Sequence, residues 1–337
     1  MTLRHIALVL AAPFLLFAAG CSEDATSTPP KEAMTDAQAI ATRPLCIGRF
    51  LIDVPADAKV VWTSTDTHAA GEIAAPIASD ERGFQRLITR TETELRAQTH
   101  YEETTRFKEV MAPDQTSRVF VYRGDPIDTT GFQLDGYVLK GQTVFKVRGF
   151  ANNDLLDRAK SRVSNGLRNI LPRDIWTIPT EPGFCFDGGF LPGGDGGFEA
   201  TGVQLTFKAY PGLVVFMETR VRSASPVEEA SLIERTDAAM KLMDASDKPT
   251  VLRRRNDRSV AFGTAEEVLW KHRQGDHYTL KGDVEMNGLD GATDKPDVAF
   301  GIVLDPPKDG TEQPEEGAVL RLWDSVVESL RLRPGAV

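Results

Sequence analysis

The residues best equipped for chemistry in this chain are its three cysteines, and their surroundings separate one from the other two. Cys21 closes the run Ala18-Ala19-Gly20-Cys21. Cys46 opens the box Cys46-Ile-Gly-Arg-Phe-Leu51, and Cys185 opens a similar box, Cys185-Phe-Asp-Gly-Gly-Phe-Leu191. Neither box cysteine has a histidine beside it to activate a thiolate or complete a metal site. With Cys21 set apart, Cys46 and Cys185 form an even pair, which in an oxidising compartment favours a disulfide over two buried free thiols. Such a bridge would join the start of one half of the chain to the start of the other.

Other catalytic patterns are weak. There is no Gly-x-Ser-x-Gly elbow, no His-Glu-x-x-His helix and no Walker loop. In the glycine run Gly193–Gly197, Glu199 stands where a dinucleotide fingerprint needs its last glycine, so the run reads as a surface loop. Asp283-x-Glu285-x-Asn287-Gly288 is similar to part of a calcium loop, but Asp294 replaces the closing glutamate and the motif begins inside an expected strand. His68, His100, His272 and His277 lack a convincing second ligand or base. No cofactor or metal is expected. The one basic cluster is Arg253, Arg254, Arg255 and Arg258, which has two readings: a contact for an acidic partner or lipid headgroup, or a strand edge guarded against pairing.

The N-terminus specifies an address. Arg4 and His5 precede the apolar run Ile6–Phe17, which is too short for a permanent membrane span, and small residues follow. Residues 1–20 are therefore expected to be a signal peptide. The Ala-Ala-Gly-Cys ending resembles a bacterial lipobox, making Cys21 the expected site of lipidation; the alternative is a plain secretory signal with an incidental cysteine. Ser22 after it favours sorting to the outer membrane, and two or three acyl chains anchor stably. Periplasmic placement follows. Residues 21–42, rich in Ser, Thr, Ala, Pro and acids, read as a flexible tether. The formal net charge of −10 argues against a nucleic-acid partner, which calls for a basic stripe.

The remaining chain reads as two halves with the same order of elements. In the first, 43–173, strands at the Cys46 box and at Lys59–Thr63 precede an amphipathic helix near Glu81–Gln98. Strands Arg118–Arg123, Phe132–Leu139 and Thr143–Phe150 follow, then a helix capped by Asn153. A Pro-rich linker, 174–183, leads to the second half, 184–334. There the Cys185 box is followed by strands Val203–Ala209 and Leu213–Val221 around a Tyr210-Pro211-Gly212 turn. A helix is expected from the capping box at Ser225 and Glu228 to about Met243. Strands near Ser259–Phe262, Glu267–Arg273, Tyr278–Met286 and Asp297–Leu304 come next, and a last helix precedes Pro334. Strands grouped between helices indicate α+β: two similar domains, each an antiparallel sheet packed with about two helices.

The two boxes resemble those of bacterial immunity proteins that neutralise type VI secretion lipase effectors, most nearly the cognate antidotes of the fourth lipase class. The matching residues are Cys46, Gly48, Arg49, Phe50, Asp53 and Pro55, then Gly183, Phe184, Cys185, Phe186, Asp187 and Gly188. The similarity covers most of the mature chain. It implies a non-enzymatic protein whose partner is a secreted phospholipase effector, inhibited by occlusion of its active-site entrance or by restraint of its lid. Loops near the boxes and the Arg253–Arg258 cluster are the candidate contacts. Two other readings stand beside it: a structural or assembly lipoprotein of the envelope, and an enzyme with a dispersed active site.

Overall fold

Apolar residues at every second position give the chain long strands with one buried face, as in the strictly alternating burial of Asp297–Leu304. The computed structural model describes residues 41–63, 65–193, 197–224, 229–275, 277–306 and 311–337. Cys21, the signal segment, most of the tether, the 225–228 motif and the centre of the glycine run lie outside the described residues.

The first half contains β1 (Thr42–Ile47), β2 (Phe50–Pro55), β3 (Lys59–Trp62), β4 (Thr65–His68), β5 (Gly71–Ala78) and α1 (Glu81–Ala97). It continues with β6 (Phe107–Met111), β7 (Ser117–Arg123), β8 (Gly131–Lys140), β9 (Thr143–Asn152), α2 (Leu156–Asn169) and the short β10 (Leu171–Pro172). The second half runs β11 (Gly183–Phe186), β12 (Gly189–Pro192), β13 (Ala200–Phe207), β14 (Tyr210–Arg220), α3 (Leu232–Lys241) and β15 (Thr250–Val260). Then come β16 (Gly263–Gln274), β17 (His277–Met286), β18 (Asp297–Leu304), α4 (Glu316–Glu328) and β19 (Arg331–Leu332). The fold is α+β, with antiparallel pairing between its strands.

The large sheet repeats one topology about its centre. Outward from the middle the order is β4, β5, β9, β8, β7, β6 on one side and β13, β14, β18, β17, β16, β15 on the other. The halves join where Thr67 of β4 pairs with Ala200 of β13, while β3 also pairs with β13. Each half places one helix between its second and third sheet strands and another after its last.

The two box hairpins are exchanged between the halves. Leu45, Ile47, Phe50, Ile52 and Val54 of the first hairpin pack with Val215, Leu269, Phe300 and Trp323 of the second half. Phe184, Phe186 and Leu191 of the second hairpin pack with Val121, Leu134, Val147 and Val163 of the first. The closing strands follow the same exchange, since β19 pairs with β2 and β10 with β12. Helix α1 covers the opposite face, where Phe84, Ile88 and Leu95 meet Phe107, Phe120 and Tyr137. Each hairpin turns at a glycine of positive φ, Gly48 at 58° and Gly188 at 62°, a conformation that side chains with a Cβ disfavour.

Several local expectations are corrected. The side chain of Asn153 accepts from Arg123 Nη1 (3.2 Å) and caps nothing; the chain enters α2 through a 3-10 turn. The capping box of α3 is formed by Ser231 and Glu234, where Ile233 N also donates to Glu266 on β16 (2.8 Å). Tyr210, Pro211 and Gly212 lie in β14, and the chain reverses at residues 208–209. Strand β15 starts at Thr250, earlier than the Ser259 expected, because arginine-rich edge sequence masks the alternation.

Exchange makes each core depend on both halves. Truncating Ile52 to Ala should cost about 3 kcal/mol and reduce amide protection in β13 and β14 of the second half. Expressed apart, 43–173 and 184–334 should each lack a cooperative thermal transition by circular dichroism, and recover one when mixed.

Candidate functional site

The exchanged hairpins cross beside the junction of the two halves, and the sequence similarity of the boxes has its structural meaning there. Cys46 and Cys185 are joined by a disulfide that spans 139 residues of chain. Next to it Gly48 N donates to Cys185 O (2.9 Å) and Cys185 N to Gly48 O (2.8 Å), so sulfur and backbone together clamp the two turns. Leu51, Phe190 and the cysteines fill the space between them.

Buried charges tie the same region. Arg49 makes a bidentate pair with Glu199, Nε to Oε2 at 2.8 Å and Nη2 to Oε1 at 2.7 Å, and donates to the carbonyl of Ala336 at 2.5 Å. His68 lies against Glu199, with Nε2 at 3.7 Å from Oε1, and its Nδ1 accepts from Ala70 N (3.3 Å). Burial, then the neighbouring Arg49 cation, lowers the His68 pKa to about 4, leaving the ring neutral at pH 7. Asp66 accepts from Thr201 Oγ1 (2.5 Å) and Asp187 N (3.3 Å), and burial pushes its pKa up to about 6.

The connection at 174–183 is threaded by two buried arginines. Arg173 donates to the carbonyls of Ile175 and Thr177 (3.0 Å each) and Gly189 (3.2 Å). Arg333 donates to those of Pro179 (2.7 Å), Glu181 (2.9 Å) and Gly183 (2.8 Å). Carbonyls of the connecting segment and of the ends of β11 and β12 thus receive charged donors.

The predicted basic cluster assembles on β15, the edge strand, facing acids of its own fold. Buried Glu267 receives Arg253, Arg255, Arg258 and the Trp323 indole N–H (2.9 Å). Asp324 of α4 pairs with Arg253 (2.5 Å) and Arg258 (3.0 Å), and Asp237 of α3 with Arg254 (2.7 Å). Arg258 is buried and Arg253 half-buried, so only Arg254 and Arg255 offer charge outward. Asp283 and Glu285 lie on β17, with Glu285 held by Arg235 (2.6 Å); among the described residues no acid, histidine or cysteine group has the arrangement of a metal site.

An open groove of about 430 Å³ lies beside the junction, with His68, Glu72, Arg148, Phe150, Arg162 and Phe198 among its lining residues. Phe150 and Phe198, two large aromatic rings of this lining, are each 63% exposed. None of these was legible as a site. Phe150 lies near the end of a strand in its solvent phase, Phe198 follows a glycine run, and Arg162 is one charge on the outer side of a helix.

Three measurements probe this junction. Replacing both box cysteines by alanine should cost up to about 5 kcal/mol, the chain-entropy value for a loop this long, read by denaturant unfolding. Arg333→Ala, which strands three carbonyls, should cost about 3 kcal/mol. The Asp66 carboxyl, raised from 3.8 to about 6, adds stability that is complete below its unfolded value and lost as pH rises through 6. His68, lowered from 6.5 to about 4, acts oppositely, its contribution vanishing as pH falls through 4. Asp66→Asn removes only the first effect, so the Tm of wild type minus that of the variant should increase as pH is taken from 7 to 5.

Comparison with known proteins matches this architecture. The model of the Tle cognate immunity protein 4 N-terminal domain matches residues 43–166, and that of its C-terminal domain residues 177–335. No curated protein sequence matches the chain. Among solved structures, the apo immunity protein TplEi of the type VI secretion system of Pseudomonas aeruginosa superposes with a TM-score of 0.76 at 24% identity, covering 87% of this chain and 97% of that one. A Tle4–Tli4 complex gives the same score and identity over 87% and 98%. TplEi bound to an "L" peptide gives a TM-score of 0.71 at 23% identity, over 87% and 98%. These structures share the fold, and with both of its halves matched in order, the chain belongs to the Tle cognate immunity protein 4 family.

Proposed function

We propose that this protein is an immunity protein that binds a phospholipase effector of type VI secretion and blocks it. The observation that carries this reading is the match of both family domains, in order, across the junction they build together. A relative of the same fold is seen in a complex named Tle4–Tli4, and another with a peptide. Inhibition is by occlusion: the antidote covers the active-site entrance of the lipase or holds its lid, and does no chemistry itself. A stable complex needs an interface above about 1,000 Å², which surfaces from both halves would supply. Arg254 and Arg255, the outward members of the basic cluster, are a further candidate contact.

The same reading places the protein in the periplasm, anchored to the outer membrane through lipidated Cys21, with 21–42 as tether and 43–173 and 184–334 as its two domains. An anchor there keeps the antidote beside the bilayer that the toxin attacks.

The test is to mix the protein from residue 22 onward with the lipase that this reading expects the neighbouring gene to encode. Co-elution on size exclusion and loss of phospholipid hydrolysis are expected; separate elution with undiminished hydrolysis overturns the reading. Cys21→Ala should abolish palmitate labelling and release the protein from the membrane fraction. Retention of both would remove the anchor.

A further inference from the structure

Strand β9 has an open end. It pairs with β8 along its whole length, down to Asn152 opposite Gly131. On its other side the pairing with β5 reaches only as far as Arg148 opposite Glu72, so residues 149–152 continue with no strand on that side among the described residues. The chain turns away at Gly71, whose φ is 139° and whose position would bring a Cβ within 2.3 Å of the Arg148 carbonyl. Unpaired strand edges invite another strand, and folds usually guard them with charge, proline or a bulge. This one presents Phe150.

The groove beside the junction lies along that end, and its other exposed aromatic, Phe198, comes from the second half. Arg162 of α2 also lines it, and has no acidic partner among the described residues of a chain whose net charge is −10. Arg148, by contrast, is held by Asp135 at 3.3 Å. An open backbone edge, two exposed rings and one uncommitted cation together describe a receptor for an extended polypeptide with an acidic side chain. Backbone pairing gives such a contact its affinity, and the side-chain positions give it specificity.

We infer that an extended segment of the effector adds to the open end of β9 as an extra strand, setting a large apolar side chain against Phe150 and Phe198 and a carboxylate on Arg162. This deepens the proposed function and rests on it. Aromatic anchors of this kind carry a disproportionate share of binding energy, while a rim cation steers the approach.

The test uses the full chain and the lipase expected from the neighbouring gene. Amide exchange at residues 149–152 should slow at least tenfold on complex formation, at those positions that do not already pair with β8. Phe198→Ala and Arg162→Glu, both at exposed positions, should keep the wild-type Tm and weaken binding by about tenfold or more. Only Arg162→Glu should flatten the dependence of affinity on salt. Leu242→Ala, exposed just past the end of α3, should bind as wild type. A complex that forms with unchanged exchange at 149–152, or with both variants at full affinity, overturns the β9 site and leaves the immunity reading standing. Failure of the wild-type chain to bind the lipase overturns both.

Discussion

Every other feature of the molecule depends on the exchange of two hairpins between its halves. Each half brings a sheet with one face covered only in part by its own terminal helix, and the rest of the cover comes from the beginning of the other half. Leu45, Ile47, Phe50 and Ile52 are 0–1% exposed only because they enter the second core, and Phe184 and Phe186 are buried in the first. Burying a large apolar side chain is worth roughly 1.5–3 kcal/mol, so the exchange commits both cores to a single cooperative unit. The closing strands β10 and β19 repeat the exchange at the backbone level.

Crossing the hairpins brings polar groups together in the interior, and the solution to that problem defines the centre of the molecule. The backbone turns of Gly48 and Cys185 satisfy one another, the disulfide fixes their separation, and Arg49 with Glu199 forms a closed, desolvated pair. Arg173 and Arg333 do the same for the carbonyls of the connecting segment. Buried ion pairs add little net stability compared with apolar packing, but losing one partner leaves a costly charge. The junction is therefore held by links that fix geometry more than they add net stability.

The same links frame the proposed contact surface. The groove beside the junction draws Phe150 and Arg162 from the first half and Phe198 from the second, and holds them on a framework closed by covalent, ionic and apolar links. Preorganised contacts avoid the entropic cost of ordering side chains on binding. The basic cluster on β15 illustrates the opposite outcome. Its arginines are conspicuous in an acidic chain, yet Glu267 and Asp324 engage Arg253 and Arg258 so fully that they serve the packing of α4 on its sheet.

Local chemistry made much of this legible. Period-two alternation marked β7, β8, β9 and β18, and the even pair of cysteines without histidine neighbours pointed to a disulfide. The family followed from the boxes, which are short enough to be read letter by letter. Other features depended on competition between distant groups. Asn153 has the chemistry of a cap but is taken by Arg123, and β15 is a strand although its arginines break the alternation, because Glu267 and Asp324 neutralise them. The exchange itself leaves no local trace, since a hairpin has the same sequence whichever core covers it. Nor does the groove: Phe150 and Phe198 are 48 positions apart and become neighbours of one cavity only when β4 meets β13. Alternation, turns and cysteine count are set by neighbours in the chain and were determined by the sequence alone; the partner of each hairpin and the open end of β9 were decided by tertiary packing, where burial and unsatisfied backbone groups choose among contacts that the chain order leaves equal.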